Sequence, residues 1–339
     1  MIKYNIHSDI INSNIQKISQ HGYAYFAVKA NMQPKILQVI SKNIYGWIVS
    51  DYRQLCSLID AEIPLNNVIH INVASSESER LKLYSKGIKG FCFSDLDSLI
   101  SLNQCCPDIE PFVRLCINEF EQSASHIGAS KKEFVKMAKY LMQNNKPINI
   151  QLYFDRNCKR EWFQIIQDIY TFLSSLRQFG FTINALNVGG ISLNSVDKIK
   201  NLAFDIKDVN IEAGEPILKN AIDCETDIKA FTNDCLFLGT GIYTGALDVV
   251  LYNKRFNIEL LNGISLLSDS PTKLFHKLIV CGPSCDTKDI LGEYYIEKTN
   301  LSVLKKGEIV VIKDVGAYFQ CFDMNYCSDY KQEVEVNES

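Results

Sequence analysis

Short runs of β-branched and aromatic residues alternate with longer amphipathic runs over the first two-thirds of the chain. The short runs predict eight strands, at Tyr23–Val28, Tyr45–Val49, Asn67–Asn72, Ile88–Phe93, Pro111–Ile117, Ile148–Phe154, Thr182–Val188 and Phe204–Ile211. The longer runs predict helices between them, at Gln33–Lys42, Tyr52–Asp60, Glu77–Lys86, Leu96–Leu102, Lys131–Gln143, Trp162–Phe179 and Ser195–Ala203. Strands that alternate with helices of this length are typical of parallel βαβ units.

Eight such strands are the number that closes into a (β/α)8 TIM barrel. The competing architecture is an open, doubly wound sheet, which places a Gly-x-Gly-x-x-Gly turn after its first strand. Here the first strand leads into Lys29-Ala30-Asn31, which does not match that turn. We therefore predict an α/β fold built on a (β/α)8 barrel.

The pattern changes near Ile222, where short strands separated by turn residues follow one another without a convincing long helix. The predicted strands are Ala230–Phe237, Val249–Leu251, Phe256–Leu260, Lys277–Val280, Glu293–Ile296, Ile309–Lys313 and Ala317–Phe322. This pattern predicts a β-rich second domain. The boundary is placed between a barrel domain over residues 1–221 and a second domain over residues 222–339.

Composition is that of an ordinary globular protein. The chain has 339 residues, of which 47% are hydrophobic and 22% charged, and this excludes wholesale disorder. A net charge of −4 gives no basic field that would favour nucleic acid or an anionic membrane. No apolar run is long enough to span a bilayer, and the first residues lack a signal-peptide pattern. These features favour a cytoplasmic protein.

The cysteines and histidines do not suggest a metal site. Twelve cysteines are present without a Cys-x-x-Cys pair, and the five histidines are scattered. Several cysteines, among them Cys92 and Cys116, lie in apolar stretches, where a reduced thiol behaves as a small hydrophobic group.

Candidate chemistry lies where the predicted strands end, because the loops at the carboxyl ends of barrel strands carry the active site. Lys29 ends the first strand, and Arg114 lies near the end of the fifth, before a loop that contains His126. Gly189-Gly190 follows the seventh strand, and Glu212 the eighth. We expect these residues to meet at one end of the barrel.

Each of these residues has an ordinary structural interpretation, but together they match one cofactor. A lysine at a buried strand end can form a Schiff base, although such lysines more often lie on the surface. Paired glycines can present backbone N–H groups to a phosphate or simply form a turn. Glu212 can bind a protonated ring nitrogen or form a salt bridge at the rim. A lysine, a glycine turn and a carboxylate are what pyridoxal 5′-phosphate requires.

Three segments extend this interpretation to a family resemblance. The segment Tyr25–Asn31 resembles the cofactor-lysine motif of the alanine-racemase-like (fold type III) pyridoxal-phosphate enzymes, in particular the ornithine, arginine and diaminopimelate decarboxylases. Cys281–Asp289 is similar to their Gly-Pro-x-Cys-Asp-x-x-Asp segment, and Lys313–Tyr318 to their Gly-Ala-Tyr segment. The order of the motifs agrees from Lys29 to Tyr318.

The resemblance implies a role for each matching position. Lys29 would bind the cofactor covalently, Glu212 would pair with its ring nitrogen, and Tyr318 would bind its phosphate together with Gly189 and Gly190. Arg114 and His126 are also assigned to the cofactor site.

The second-domain motif is assigned to the substrate. Cys285 would return a proton to the carbon that loses CO2, and Asp286 would hold the cationic end of the substrate, with Asp289 beside it. In that family the Cys-Asp segment reaches the active site of the partner chain, so the resemblance implies a homodimer with shared sites.

Several positions depart from the family pattern. Glu215 stands where the family has a phosphate-binding arginine, and Ile191 replaces a third glycine. Tyr153–Arg156 replaces a His-x-Gly-Ser segment, which suggests that an aromatic ring stacks on the cofactor and that Arg156 supplies a phosphate contact. Ile48 and Gln54 stand where acidic residues are usual. Few residues precede Lys29, so the N-terminal strand of the second domain is expected to be short or absent.

The leading hypothesis is a pyridoxal-phosphate-dependent decarboxylase of an amino acid with a cationic side chain. Its substrate would resemble ornithine or lysine, or would be a bulkier aminocarboxypropyl or carboxynorspermidine-like compound of polyamine or specialised metabolism. One alternative is a catalytically silent homologue that acts as a regulatory binding partner, and another is a pyridoxal-phosphate amino-acid racemase.

Overall fold

The computed structural model describes residues 2–122, 125–154, 159–190, 192–201, 206, 208–269, 272–322 and 332–337. The chain divides into two compact units, one formed by Met1–Asn14 with Gly214–Ser339 and the other by Ile15–Ala213. This division differs from the predicted boundary after residue 221. The first residues belong with the C-terminal part because strand β1, Ile2–His7, pairs with strands from that part.

The unit Ile15–Ala213 is a closed barrel of eight parallel strands, as predicted. Its strands are β2 (Tyr23–Ala27), β3 (Gly46–Val49), β4 (Val68–His70), β5 (Gly90–Phe93), β6 (Glu110–Arg114), β7 (Ile148–Tyr153), β8 (Ile183–Gly189) and β9 (Asp208–Ala213). Helix α1 (Ser8–Ser19) was not predicted, and it precedes β2. The other helices are α2 (Pro34–Ser41), α3 (Tyr52–Asp60), α4 (Glu77–Ser85), α5 (Leu96–Cys105), α6 (Lys131–Gln143), α7 (Trp162–Arg177) and α8 (Leu193–Asn201).

Side-chain caps fix the starts of four consecutive helices. Asp51, Ser76, Asp95 and Ser130 precede α3, α4, α5 and α6. Each side chain accepts a hydrogen bond from the backbone N–H three residues later, at 2.8–3.2 Å. Such a cap satisfies one of the donors left free at a helix start and stabilises the helix by about 1 kcal/mol.

One side of the barrel interior is apolar. Its buried cluster comes from β2 to β6 and the residue after β4, and comprises Tyr25, Ile48, Ile69, Ile71, Cys92 and Phe112. The other side of the interior, on β7 to β9, is polar. The strand register aligns Gln151 with Asn187 and Asn210, and two residues further along aligns Tyr153 with Gly189 and Glu212. Because alternate residues of a strand share a face, these rows form successive layers inside the barrel.

The second unit is β-rich, as predicted. Its other strands are β10 (Ile222–Thr232), β11 (Cys235–Leu238), β12 (Asn257–Leu260), β13 (Ser265–Leu266), β14 (Phe275–Cys281), β15 (Ile290–Glu297), β16 (Ile309–Lys313) and β17 (Gln332–Asn337), with short helices α9 (Glu215–Leu218) and α10 (Asp248–Tyr252). Seven strands follow the order β13-β12-β16-β10-β11-β14-β15, and β1 pairs with β10 and β17. The expectation that the N-terminal strand would be short or absent was therefore wrong.

Three predicted strands of this unit differ from the structure. Ala230–Phe237 is two strands, because Asn233 and Asp234 have φ angles of 48° and 62° and form a turn between β10 and β11. Val249–Leu251 lies in helix α10. Ala317–Phe322 is not a strand, because Tyr318 has a left-handed φ of 72° and a 3-10 turn follows at Phe319–Phe322.

Candidate active site

Lys29 lies at the carboxyl-terminal mouth of the barrel, which is the end where strands β2 to β9 finish. Strand β2 ends at Ala27, and Lys29 is in the 3-10 turn Val28–Ala30 that follows. Its Nζ atom is 5.8 Å from the centre of the Tyr153 ring. Although Lys29 follows a buried strand, its side chain is exposed.

Tyr153 contributes an aromatic ring to this mouth. It ends β7, and its ring centre is 5.4 Å from the guanidinium carbon of Arg114 at the end of β6. The neighbouring Phe154 is buried and packs against Trp162 at 4.9 Å between ring centres. Of the two rings in the segment that replaces the family histidine, Tyr153 is therefore the one beside Lys29.

Gly189 and Gly190 leave space that any larger residue would fill. A Cβ atom at Gly189 would lie 3.0 Å from the Tyr153 ring and 3.1 Å from Oε2 of Glu212. Gly190 has φ +71°, and a Cβ there would lie 2.0 Å from the carbonyl oxygen of Phe154. Glycine is thus required at position 190, and the backbone at this turn can approach a ligand closely.

Glu212 carries an acceptor without a partner. Its Oε2 atom is buried and makes no hydrogen bond with the residues that the structure describes. An unpaired buried carboxylate oxygen is costly, so this position favours a cationic donor from a ligand. One mouth of the barrel therefore brings together Lys29, Tyr153, Gly189 and Glu212, as the positions of the strand ends predict.

Other residues of the predicted site have different surroundings. Arg114 lies at the mouth beside Tyr153, and its Nε also donates a hydrogen bond to the carbonyl oxygen of Ile127 at 3.3 Å. His126, on the same loop, is exposed, and no contact joins it to the mouth within the described part of the chain. Arg156 and Ile191 lie outside the described residues.

Two of the family's acidic positions have become part of the protein interior. Ile48 is 2% exposed and belongs to the apolar cluster. The side chain of Gln54, in the first turn of α3, accepts a hydrogen bond at 2.8 Å from the backbone N–H of Ser50, which precedes the helix.

The polar layer beneath Glu212 was not recognised from the sequence. Gln151 and Asn187 are fully buried, and their amide atoms have no hydrogen-bond partner among the described residues. On the apolar side, burial raises the pKa of the Cys92 thiol to about 12, so this thiol stays neutral. The sequence signal for this layer was the presence of amide side chains at alternate positions of β7 and at Asn187 on β8.

The second unit presents Cys285 on a tightly held loop. Cys285 is exposed and has a left-handed φ of 58°, a conformation uncommon for a residue with a side chain. The loop is fixed beside it, because Asp286 N–H donates to Ser284 Oγ at 3.2 Å and the Asp286 carboxylate accepts from Lys288 N–H at 2.7 Å. Tyr318, in the same unit, is half-buried.

Asp289 has a structural role in this loop. It is 1% exposed, and its carboxylate accepts hydrogen bonds from the backbone N–H groups of Ile242 at 2.7 Å and Ser284 at 3.1 Å. A carboxylate so buried and so fully used inside its own unit is not available to a substrate. Asp289 therefore holds this loop together, contrary to the prediction that it contacts the substrate.

Comparisons with known proteins identify the class that this fold and site define. Residues 11–212 match the family described as "Pyridoxal-dependent decarboxylase, pyridoxal binding domain". The chain belongs to this family, and it is accordingly a pyridoxal-phosphate-dependent amino-acid decarboxylase. This result confirms the resemblance, the cofactor and the fold predicted from the sequence.

Individual relatives are distant. Ornithine decarboxylase of Schizosaccharomyces pombe is 21% identical over 87% of this chain and 73% of its own length. Diaminopimelate decarboxylase of Helicobacter pylori superposes with a TM-score of 0.84 at 17% identity, covering 100% of this chain and 92% of that chain. Lysine/ornithine decarboxylase of Vibrio vulnificus superposes with a TM-score of 0.82 at 14% identity, covering 100% of this chain and 95% of that chain. Within the described residues, no helix is long and apolar enough to cross a membrane.

Proposed function

We propose that the substrate is an amino acid whose side chain ends in a cationic group, such as ornithine, lysine or a bulkier aminocarboxypropyl or carboxynorspermidine-like compound. The arrangement of Lys29, Tyr153, Gly189 and Glu212 around one barrel mouth supports the cofactor chemistry. The observation that carries the substrate class is the Asp286 carboxylate next to the exposed Cys285 thiol. The relatives named as ornithine and lysine/ornithine decarboxylases support a substrate with a side-chain amine.

The residues of the mouth fit the cofactor. Pyridoxal phosphate, when bound, supplies an electron-poor ring that takes up the electrons left by a departing carboxylate. Lys29 supplies the amine that holds the cofactor, and the unpartnered Oε2 of Glu212 accepts a hydrogen bond from the ring nitrogen. Gly189 and Gly190 let the backbone approach the phosphate. The ring of Tyr153 lies where it can pack against the cofactor.

Asp286 and Cys285 provide the substrate contacts in this proposal. The Asp286 carboxylate holds the distal cation, and the Cys285 thiol delivers a proton to the carbon that has lost CO2. The left-handed backbone at Cys285 is consistent with a functional role, because strained backbone positions cluster at active sites. The proposed homodimer brings these two residues from one chain to the barrel of the other.

The experiment compares CO2 release from ornithine, lysine, arginine, diaminopimelate and carboxynorspermidine by the purified holoenzyme. We expect release from one or more substrates with a cationic side-chain end, and loss of that release in Asp286→Asn through a raised KM. Release from amino acids with apolar side chains alone would refute the substrate assignment. Loss of optical rotation without CO2 release would identify a racemase. A chain that binds the cofactor without either reaction would match the catalytically silent alternative.

A further inference from the structure

A second cavity lies at the amino-terminal mouth of the barrel, where the strands begin. Its volume is about 500 Å³, which is in the usual range for small-molecule sites. Residues near the starts of the strands line it, among them Tyr25, Glu110, Asn149, Asp208 and Asn210. Its lining does not include Lys29, Tyr153, Gly189 or Glu212, so it is distinct from the cofactor site.

The charged groups of this cavity are mainly acidic. Glu110 begins β6 and Asp208 begins β9, three strands apart around the barrel, so the two carboxylates face the cavity from different sides. Neither has an ion-pair or hydrogen-bond partner in the part of the chain that the structure describes. Lys89 also lines the cavity, but its ammonium is paired with Asp108 at 2.6 Å. The remaining field favours a cation.

Three tyrosines form an aromatic wall beside these carboxylates. The ring of Tyr45 is 4.2 Å from that of Tyr23 and 5.5 Å from that of Tyr25, between centres. Burial raises the pKa of the Tyr25 phenol, and the negative field of Glu110 and Asp208 adds to this effect, so the phenol remains a neutral donor. Aromatic faces attract ammonium groups, most strongly where water is partly excluded.

Asn210 gives an independent indication of a ligand. Its side chain lines the cavity and is 5% exposed, yet it has no hydrogen-bond partner among the described residues. By contrast, the amides of Asn149 and Asn184 bind each other at 3.2 Å in the same cavity. Buried amides are normally hydrogen-bonded, so the amide of Asn210 is available to bind a group inside the cavity.

We infer that the amino-terminal mouth is a binding site for an aliphatic diamine, with one ammonium group near Glu110 and the other near Asp208. An anion is disfavoured by the two carboxylates. A metal ion is disfavoured because the described residues contain no group of three or more side chains suited to hold one. Two cationic ends joined by an apolar chain match two separated carboxylates joined by an aromatic wall.

The test is calorimetric titration of the holoenzyme with 1,4-diaminobutane, while the visible absorption of the cofactor is recorded in parallel. A diamine that enters the cofactor site changes that absorption, so heat that saturates without an absorption change reports the second site. We expect the double variant Glu110→Gln/Asp208→Asn to bind at least tenfold more weakly in this phase. The matched control Asp60→Asn/Glu62→Gln, which alters two exposed carboxylates elsewhere on the barrel unit, should bind like wild type.

Two analogues of the diamine test whether both ammonium groups are needed, and a further variant tests the aromatic wall. Singly charged 1-aminobutane should bind more weakly than the diamine, and 1,4-butanediol should not bind. Tyr45→Leu retains both carboxylates and should lower the affinity for the diamine by about two- to fivefold. Equal affinity in wild type and the double variant overturns the inference, and if the double variant does not fold, unchanged affinity in Tyr45→Leu does so. These readouts do not depend on CO2 release, so failure of the proposed substrate class is detected separately.

Discussion

At the scale of single residues, the Oε2 atom of Glu212 is a buried acceptor without a partner, and a ligand that donates a hydrogen bond to it would satisfy it. Glu212→Gln keeps the shape of the side chain but removes its charge. We expect kcat to fall by about 100-fold at saturating cofactor, because an amide stabilises a protonated ring nitrogen poorly. Steady-state kinetics check this, with the exposed Glu62→Gln as a control that should keep full activity. A Glu212→Gln enzyme of normal kcat would remove Glu212 from the cofactor site.

His70 is a second residue with a measurable consequence. It is fully buried, and burial together with the nearby charge of Arg80 lowers its pKa to about 4. The folded state therefore binds fewer protons than the unfolded state between about pH 4 and pH 6.5. The contribution of neutral His70 to the free energy of unfolding is fully present above pH 6.5. It is lost as the pH falls towards 4, at up to about 1.4 kcal/mol per pH unit.

Urea unfolding at intervals between pH 7 and pH 4 measures this dependence. In His70→Leu, which cannot titrate, the free energy of unfolding should fall less steeply with decreasing pH than in wild type. Identical slopes in the two proteins would show that His70 does not couple folding to protons.

At the scale of elements, the end of β8 is defined by Gly190. Alanine at this position would adopt a left-handed φ and place its Cβ 2.0 Å from the Phe154 carbonyl oxygen, so β7 and β8 must move apart. Gly190→Ala should therefore lose cofactor affinity by at least about tenfold, equivalent to about 1.4 kcal/mol. Gly87 has φ +94°, and a Cβ added there would meet no atom within 4 Å, so Gly87→Ala tests the backbone cost alone.

Cofactor titration and thermal unfolding compare these two variants. Gly87→Ala should lose about 1–2 kcal/mol of stability and keep wild-type cofactor affinity. Equal cofactor affinity in both variants would contradict a role of the Gly190 turn in binding.

The barrel strands could be predicted because most are buried runs rich in β-branched or aromatic residues, and four of the helices between them begin at a capping residue. The same composition was misleading at Val249–Leu251, where the chain forms helix α10 and ends it at Asn253 with a left-handed φ of 51°. Local composition does not distinguish a strand from a helix where tertiary contacts determine which of them forms. The positions of Lys29 and Glu212 at one mouth of the barrel were predictable because both follow or end a predicted strand. Gln151 and Asn187 acquire meaning only once the register places them side by side.

At the scale of the whole molecule, the proposed homodimer makes a prediction that a single-chain site does not. In that arrangement one chain supplies Lys29 and the other supplies Cys285 to each site. Lys29→Ala and Cys285→Ala should each be inactive alone. Co-expressed with different tags, they should form mixed dimers in which one of the two sites carries both intact residues. Random pairing makes half of the dimers mixed, so the recovered CO2 release should be about a quarter of the wild-type rate.

The matched control co-expresses Lys29→Ala with Glu212→Ala, two changes on the same barrel unit. Neither barrel is then intact in any dimer, so this mixture should stay inactive although mixed dimers form equally well. Purification over both tags isolates the mixed dimers and should raise the specific activity of the first mixture to about half of wild type. Mixed Lys29→Ala and Cys285→Ala dimers without activity would mean that each site takes both residues from one chain, and the shared-site homodimer would be abandoned.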